Sequence, residues 1–345
     1  MVTNYDGLLE FSFPEVHPWA QLLILFMRTL RIPDDDRDYP LPPGLGSFPL
    51  RDVDEVRERV PADWARRGGV IMPMYQSEAM WISFDTPTDP VRRVQYPFAV
   101  KIATGSINAA SGDPWTKGLN REPRQDYLVT PEQPWLDGYC VEKGLIRQFV
   151  ATPLGAGYTA EEQITGKAEY GGLQIAVYPM KKSVFKKRFP EGGVQVREFE
   201  ERDMQDVCMC ISSTPGMGLA GGGRMRQEIY EDPYDLSDWD VKHGSRCFVH
   251  IANSRVWRRI TGTKPPGKPP SAGVYTEAGL PWFDWYDDRH AAIKGSAKLA
   301  GLKSVARMRK EKKAAPLPDN ESVTPQKIVV YDAAKRKKRS LKLKG

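Results

Sequence analysis

Proline and glycine recur along the whole chain, 29 and 30 times in 345 residues. Spread this way they mark many turns, and many turns favour short strands over long helices. Apolar residues make up 40%, which points to a packed core rather than wholesale disorder. A chain of this length can bury such a core without disulfides or metals. The expected fold is all-β or β-dominated α+β, with antiparallel, sandwich-like sheets and a few short helices.

The longest unbroken apolar run is Leu22 to Met27. It is far too short to span a bilayer, which takes about 20 residues. Asp6 and Glu10 precede it where a signal peptide would be basic. His17-Pro18 and Ile32-Pro33 bracket it, so a short helix over about 18–31 is expected, with the run as its buried face. The cysteines are Cys140, Cys208, Cys210 and Cys247. Without an export signal, reduced thiols and a cytoplasmic location are the expectation. The net charge of +6 is unevenly spread: residues 301–345 hold 14 Lys and Arg against 4 Asp and Glu, and the rest hold 36 against 40. Any affinity for polyanions is therefore expected in the chain end and not in the body.

Strands are expected at Ala79–Phe84, Phe98–Ile102, Gly144–Ala151, Gly172–Tyr178, Val194–Phe199, Val207–Ile211 and Cys247–Ile251. Short helices are expected at Asp52–Arg59, Arg255–Ile260 and Ala291–Lys313. Glu161–Thr165 fits a short helix or a strand. Trp115 and Trp135 lie in a long loop over 111–138, and such rings pack against a body. Thr263-Lys-Pro-Pro-Gly-Lys-Pro-Pro270 reads as a stiff extended connector. The organisation that follows is a main body over 1–262, a connector over 263–271, an aromatic segment and basic helix over 272–313, and a basic tail over 314–345.

Four groups of residues carry possible chemistry. Gly216, Gly218 and Gly221 fit G-x-G-x-x-G and precede Arg224 and Arg226. Such a loop can cradle a phosphate, but the full helix that a dinucleotide fold needs is cut short by Pro233. Cys208 and Cys210 with Cys247 and His250 supply four zinc-type ligands. However, C-x-C within a strand is not the usual turn spacing, and Cys247 and His250 fall on opposite strand faces. Trp282 and Trp285 sit among carboxylates and can receive a cationic partner, or else strap the C-terminal segment to the core. Lys335, Arg336, Lys337, Lys338 and Arg339 form a dense basic run suited to nucleic-acid phosphates or an anionic surface. For a nucleophile beside a base, Cys140 near Glu142 and Cys247 near a folded-in histidine are the only openings, no G-x-S-x-G is present, and no cofactor is expected.

Read together, Pro134-Trp-Leu-Asp-Gly138, Ile146-Arg-Gln-Phe-Val-Ala151, Pro153-Leu-Gly-Ala-Gly-Tyr-Thr159, Ile229-Tyr-Glu-Asp-Pro233, Arg246-Cys-Phe-Val-His250 and Gly279-Leu-Pro-Trp-Phe-Asp284 resemble a microbial family of hypothetical proteins. The resemblance runs from about Arg28 to about Pro325 and implies no activity, cofactor or site residue. The functional expectation is a non-enzymatic binding or self-assembling protein that uses exposed aromatic loops, with a homo-oligomer as one form of it. The alternatives are an enzyme or anion binder at the Gly216–Arg226 loop, and contact with nucleic acid or an anionic surface through the tail.

Overall fold

The computed structural model describes residues 1–191, 216–315, 325, 327–332 and 337–342, apart from 6, 36, 266, 278, 287 and 288. One large sheet contains β1 (Val2–Tyr5), β2 (Leu8–Ser12), β3 (Gln21–Thr29), β4 (Val70–Pro73), β5 (Ala79–Asp85), β6 (Phe98–Thr104), β7 (Gly138–Glu142), β8 (Leu145–Pro153), β9 (Leu173–Pro179), β10 (Met217–Arg226) and β11 (Ser245–Ala252). One half runs β1–β2–β3–β5–β8–β10 and is antiparallel throughout. The other runs β6–β9–β11–β4, with only the last pair parallel. Met217 beside Ile251 joins the halves. Phe11, Phe26 and Ile82 of the first half share one core with Phe98, Val177 and Val249 of the second. The β-rich antiparallel architecture is the one that the turn-dense sequence implies.

The helices are short: α1 (Ala62–Arg67), α2 (Ala160–Thr165), α3 (Lys182–Arg188), α4 (Ser254–Thr261), α5 (Ala272–Glu277), α6 (Ala297–Ala300) and α7 (Val305–Glu311). The ambiguous Glu161–Thr165 stretch is helical because Thr159 and Glu162 cap it reciprocally. The helix expected over 291–313 breaks at Gly301, and Ser304 starts α7 by accepting from the Arg307 N–H at 3.1 Å. Leu299, Leu302 and Val305, on either side of the break, are all buried, and Met308 is half-buried. Asp54–Arg59 is a 3-10 turn. The strands expected at Val194–Phe199 and Val207–Ile211 lie outside the described residues. Among the described residues no helix is long and apolar enough to cross a membrane.

The helix expected over 18–31 is instead β3. Leu22, Ile24 and Phe26 are fully buried, and Leu23, Leu25 and Met27 between them are half-buried. A short apolar run fits a buried helix face and a strand covered on both sides equally well. Pairing with β2 on one edge and β5 on the other decides for the strand.

The glycine cluster is also a strand. Gly218, Gly221, Gly222 and Gly223 lie within β10, hydrogen-bonded along β8. Arg147 pairs with Arg224 and Phe149 with Gly221, so Gly222 and Gly223 together face Gln148 in a bulge. A Cβ on Gly223 would lie 2.3 Å from the Pro33 carbonyl oxygen, and one on Gly222 2.6 Å from a Val150 methyl. Close approach, not a phosphate, accounts for these glycines. Gly223→Ala is expected to cost about 1–3 kcal/mol or more in chemical denaturation. Gly221→Ala should cost less, because its nearest neighbour is the flexible Arg147 side chain at 3.2 Å.

β12 (Trp282–Tyr286) pairs in parallel with β13 (Lys327–Asp332), and β13 pairs antiparallel with β14 (Lys337–Lys342). Trp282 is buried with Tyr39, Leu41, Tyr275 and Met225, and Ile328 packs against them.

Candidate functional site

The outer face of β6, β9 and β11 carries an arrangement that the sequence motifs did not single out. Along β11, Cys247, Val249 and Ile251 point into the core. Strand alternation turns Arg246, Phe248 and His250 the other way. The Arg246 guanidinium lies 4.3 Å from the Phe248 ring centre and 5.0 Å from that of Trp115. Arg67 lies 5.9 Å from Phe248 and 4.6 Å from Tyr170. The result is a row in which rings and cations alternate: Tyr170, Arg67, Phe248, Arg246, Trp115. Arg246 is exposed and the other four are half-buried.

Each member is fixed from beneath. Gly69 has φ +86°, and a Cβ there would meet the Phe248 carbonyl oxygen at 2.2 Å, so only glycine lets the end of α1 bring Arg67 over β11. Arg67 donates to the Glu169 carbonyl at 3.2 Å. Tyr170 is held through its backbone, since buried Glu161 accepts from the N–H groups of Ser106, Tyr170 and Gly171 at 3.0–3.3 Å. Trp115 is held through its backbone N–H, which donates to the Ser106 carbonyl at 2.7 Å. The loop beyond Trp115 is stapled to the sheet by fully buried Lys101, which donates to the carbonyls of Thr116 and Gly118 at 2.9 Å and pairs with Asp126 at 2.6 Å.

The electrostatics set Arg67 and Arg246 apart from the buried cations. Arg28, Arg92 and Lys101 each face a carboxylate within 3.1 Å. Neither Arg67 nor Arg246 has a carboxylate within 4 Å among the described residues. Partial burial lowers the Arg246 guanidinium from its ordinary value, and the Arg67 charge acts in the same direction. Arg246 donates to the Gln174 side-chain oxygen, and the Gln174 amide donates to the Gly105 carbonyl at 2.5 Å. Two uncompensated cations flanking one ring form a surface that attracts an anion.

The residues selected from the sequence are placed otherwise. Arg224 pairs with Asp38 at 2.7 Å, and Arg226 holds both oxygens of Asp284 at 3.0 Å. With Gly216, Gly218 and Gly221 in or beside a strand, Arg224 ties β10 to Asp38 within the body and Arg226 ties it to Asp284 of the C-terminal segment, and they form no phosphate loop. Cys208 and Cys210 lie outside the described residues. Cys247 is buried on the core side of β11, and burial pushes its thiol up to about 12. His250, on the opposite side, stacks on Trp64 at 4.8 Å with its Nε2 2.9 Å from the Gly68 carbonyl oxygen, an acceptor that makes Nε2 the protonated nitrogen. Cys247 and His250 therefore do not converge, and no cluster of metal-binding side chains forms among the described residues. Trp282 straps the C-terminal segment down, and Trp285 stands opposite Tyr331 on β13. Lys337, Lys338 and Arg339 stand on the edge strand β14 opposite Asp332, Tyr331 and Val330. Basic residues on an edge strand discourage pairing with another chain. Lys335 and Arg336 lie outside the described residues.

One sequence signal was available for the row. In Arg246-Cys-Phe-Val-His-Ile251 the outward positions include Phe248, where a solvated face would carry a polar residue. Comparison with protein-family models, with curated proteins and with solved structures returns no match.

Proposed function

We propose that this chain is a non-enzymatic binding protein that takes an anionic polymer on the outer face of β6, β9 and β11. The observation that carries this reading is the pair Arg67 and Arg246, flanking Phe248 at 5.9 and 4.3 Å with no carboxylate partner among the described residues. A cation left uncompensated beside a ring gains more from an incoming anion than one already paired. The rigid support from Glu161, Gly69 and Lys101 favours binding, because little ordering is then left for the ligand to impose.

The test is fluorescence anisotropy with labelled heparin, a polyanion without aromatic groups. An Arg67→Gln/Arg246→Gln variant should bind it at least about tenfold more weakly than wild type, since two charge-assisted contacts are lost. Thermal unfolding provides the check on folding. Unchanged affinity in a folded variant would overturn the proposal. The basic β14 is the competing site, and removal of its charges by Lys337→Gln/Lys338→Gln/Arg339→Gln should leave most of the binding intact.

A further inference from the structure

We infer that the polymer this face is built for is single-stranded nucleic acid, bound without strong sequence preference; the inference rests on the anion-binding reading above. Charge alone does not require the rings. A sulfated glycan or an anionic membrane needs only cations, yet the cations here are interleaved with Tyr170, Phe248 and Trp115. A single strand presents the same alternation, with a charged phosphate and a flat base in each unit. Bases stack on aromatic rings and on guanidinium planes, and phosphates pair with the arginines. Arg246, the exposed member, lies between the Phe248 and Trp115 rings. Its guanidinium offers a stacking plane and a phosphate contact together.

The row also carries little that reads base identity. Gln174 is the amide nearest its centre and is buried, with its oxygen taken by Arg246 and its amide by the Gly105 carbonyl. Sequence reading needs free donors and acceptors aimed at base edges, so weak sequence preference follows. A duplex hides its base faces within the stack and offers only phosphates to this row. Single strands should therefore bind more tightly than duplexes of equal length.

The experiment is anisotropy with the full-length chain and labelled 12-nucleotide single strands of two unrelated sequences. The same strands annealed to their complements, heparin, and vesicles containing phosphatidylserine serve as comparison ligands. The expected result is a preference for single strand over duplex of about tenfold or more, with the two sequences alike. Trp115→Leu should weaken single-strand binding by about tenfold and leave the salt dependence unchanged. Arg67→Gln/Arg246→Gln should reduce the slope of log affinity against log salt by about 1.4, since each phosphate contact on a single strand contributes about 0.7. Equal affinity for duplex and single strand, or a Trp115→Leu variant that binds single strands as wild type does, would overturn the inference. So would vesicle binding with no oligonucleotide binding. If heparin binding still depends on Arg67 and Arg246 in those cases, the anion-binding reading stands and only the assignment to nucleic acid falls.

Discussion

Replacement of Arg28 by methionine should cost the fold about 3–5 kcal/mol, the range for removing one partner of a buried ion pair. Arg28 and Glu78 are 4% and 1% exposed. The Arg28 Nε and Nη2 both donate to one Glu78 oxygen, at 2.9 and 2.6 Å. The same Nη2 donates to the carbonyls of Gly267 and Lys268 at 2.9 Å, so one guanidinium joins β3, the turn before β5 and the proline-rich connector. The second Glu78 oxygen accepts from the Tyr75 N–H at 2.8 Å. Methionine fills much of the space but leaves a buried carboxylate without its counter-charge. Burial pushes the Glu78 carboxyl up, and Arg28, together with the Tyr75 N–H, opposes that shift. Without Arg28 the carboxyl takes up a proton more readily. The deficit should then be smaller near pH 5 than at pH 8, as denaturant titrations at the two values would show. A deficit independent of pH would mean that the contacts to the connector, not the charge, are what matters.

The second large effect is a pair of opposed titrations. Asp137 is 2% exposed. Burial pushes its carboxyl up to about 8, while the Gln227 amide, donating at 2.9 Å, pulls it back. The folded state therefore holds a proton that the unfolded state has released, and stability falls as pH rises from about 4 to about 8, by roughly 5 kcal/mol in all. His250 acts in the opposite sense. Burial lowers its ring to about 4, against a hydrogen bond to Gly68 that raises it. The unfolded state protonates first, so stability is lost as pH falls from about 6.5 to about 4, by roughly 3 kcal/mol.

Between pH 4 and 6.5 the two slopes nearly cancel, and between 6.5 and 8 only Asp137 contributes. Asp137→Asn keeps an oxygen to accept from Gln227 and removes the titration. It should be several kcal/mol more stable than wild type at pH 8 and gain stability with pH from 4 to 6.5. His250→Phe should show the reverse, a steady loss from 4 to 8. Parallel pH profiles for wild type and Asp137→Asn would contradict this assignment.

The sequence disclosed the class of fold because strand alternation and turn residues are local, and β5, β6, β8, β9 and β11 fall where those signals lie. It misjudged β3 because six apolar residues in a row carry no period, and only the neighbouring strands reveal that both sides are covered. It misjudged Gly221–Gly223 for a related reason. A glycine that admits another backbone, here Pro33, looks the same in sequence as one that admits a phosphate.

The candidate site was the least legible part. Its members come from α1, the 115 loop, the turn after α2, and β11, and only the folded sheet brings Arg67, Trp115, Tyr170 and Phe248 together. The basic run near Lys337 was conspicuous because it is contiguous, whereas the two arginines of the row lie 179 positions apart in the chain numbering.

Hydroxyl-radical footprinting of the full-length chain, with and without a bound 12-nucleotide single strand, tests the central claim most directly, since it reads side-chain exposure by mass spectrometry. The expected result is protection of Trp115, Tyr170 and Phe248. Protection confined to peptides from the basic chain end, with Trp115, Tyr170 and Phe248 unchanged, would contradict the account.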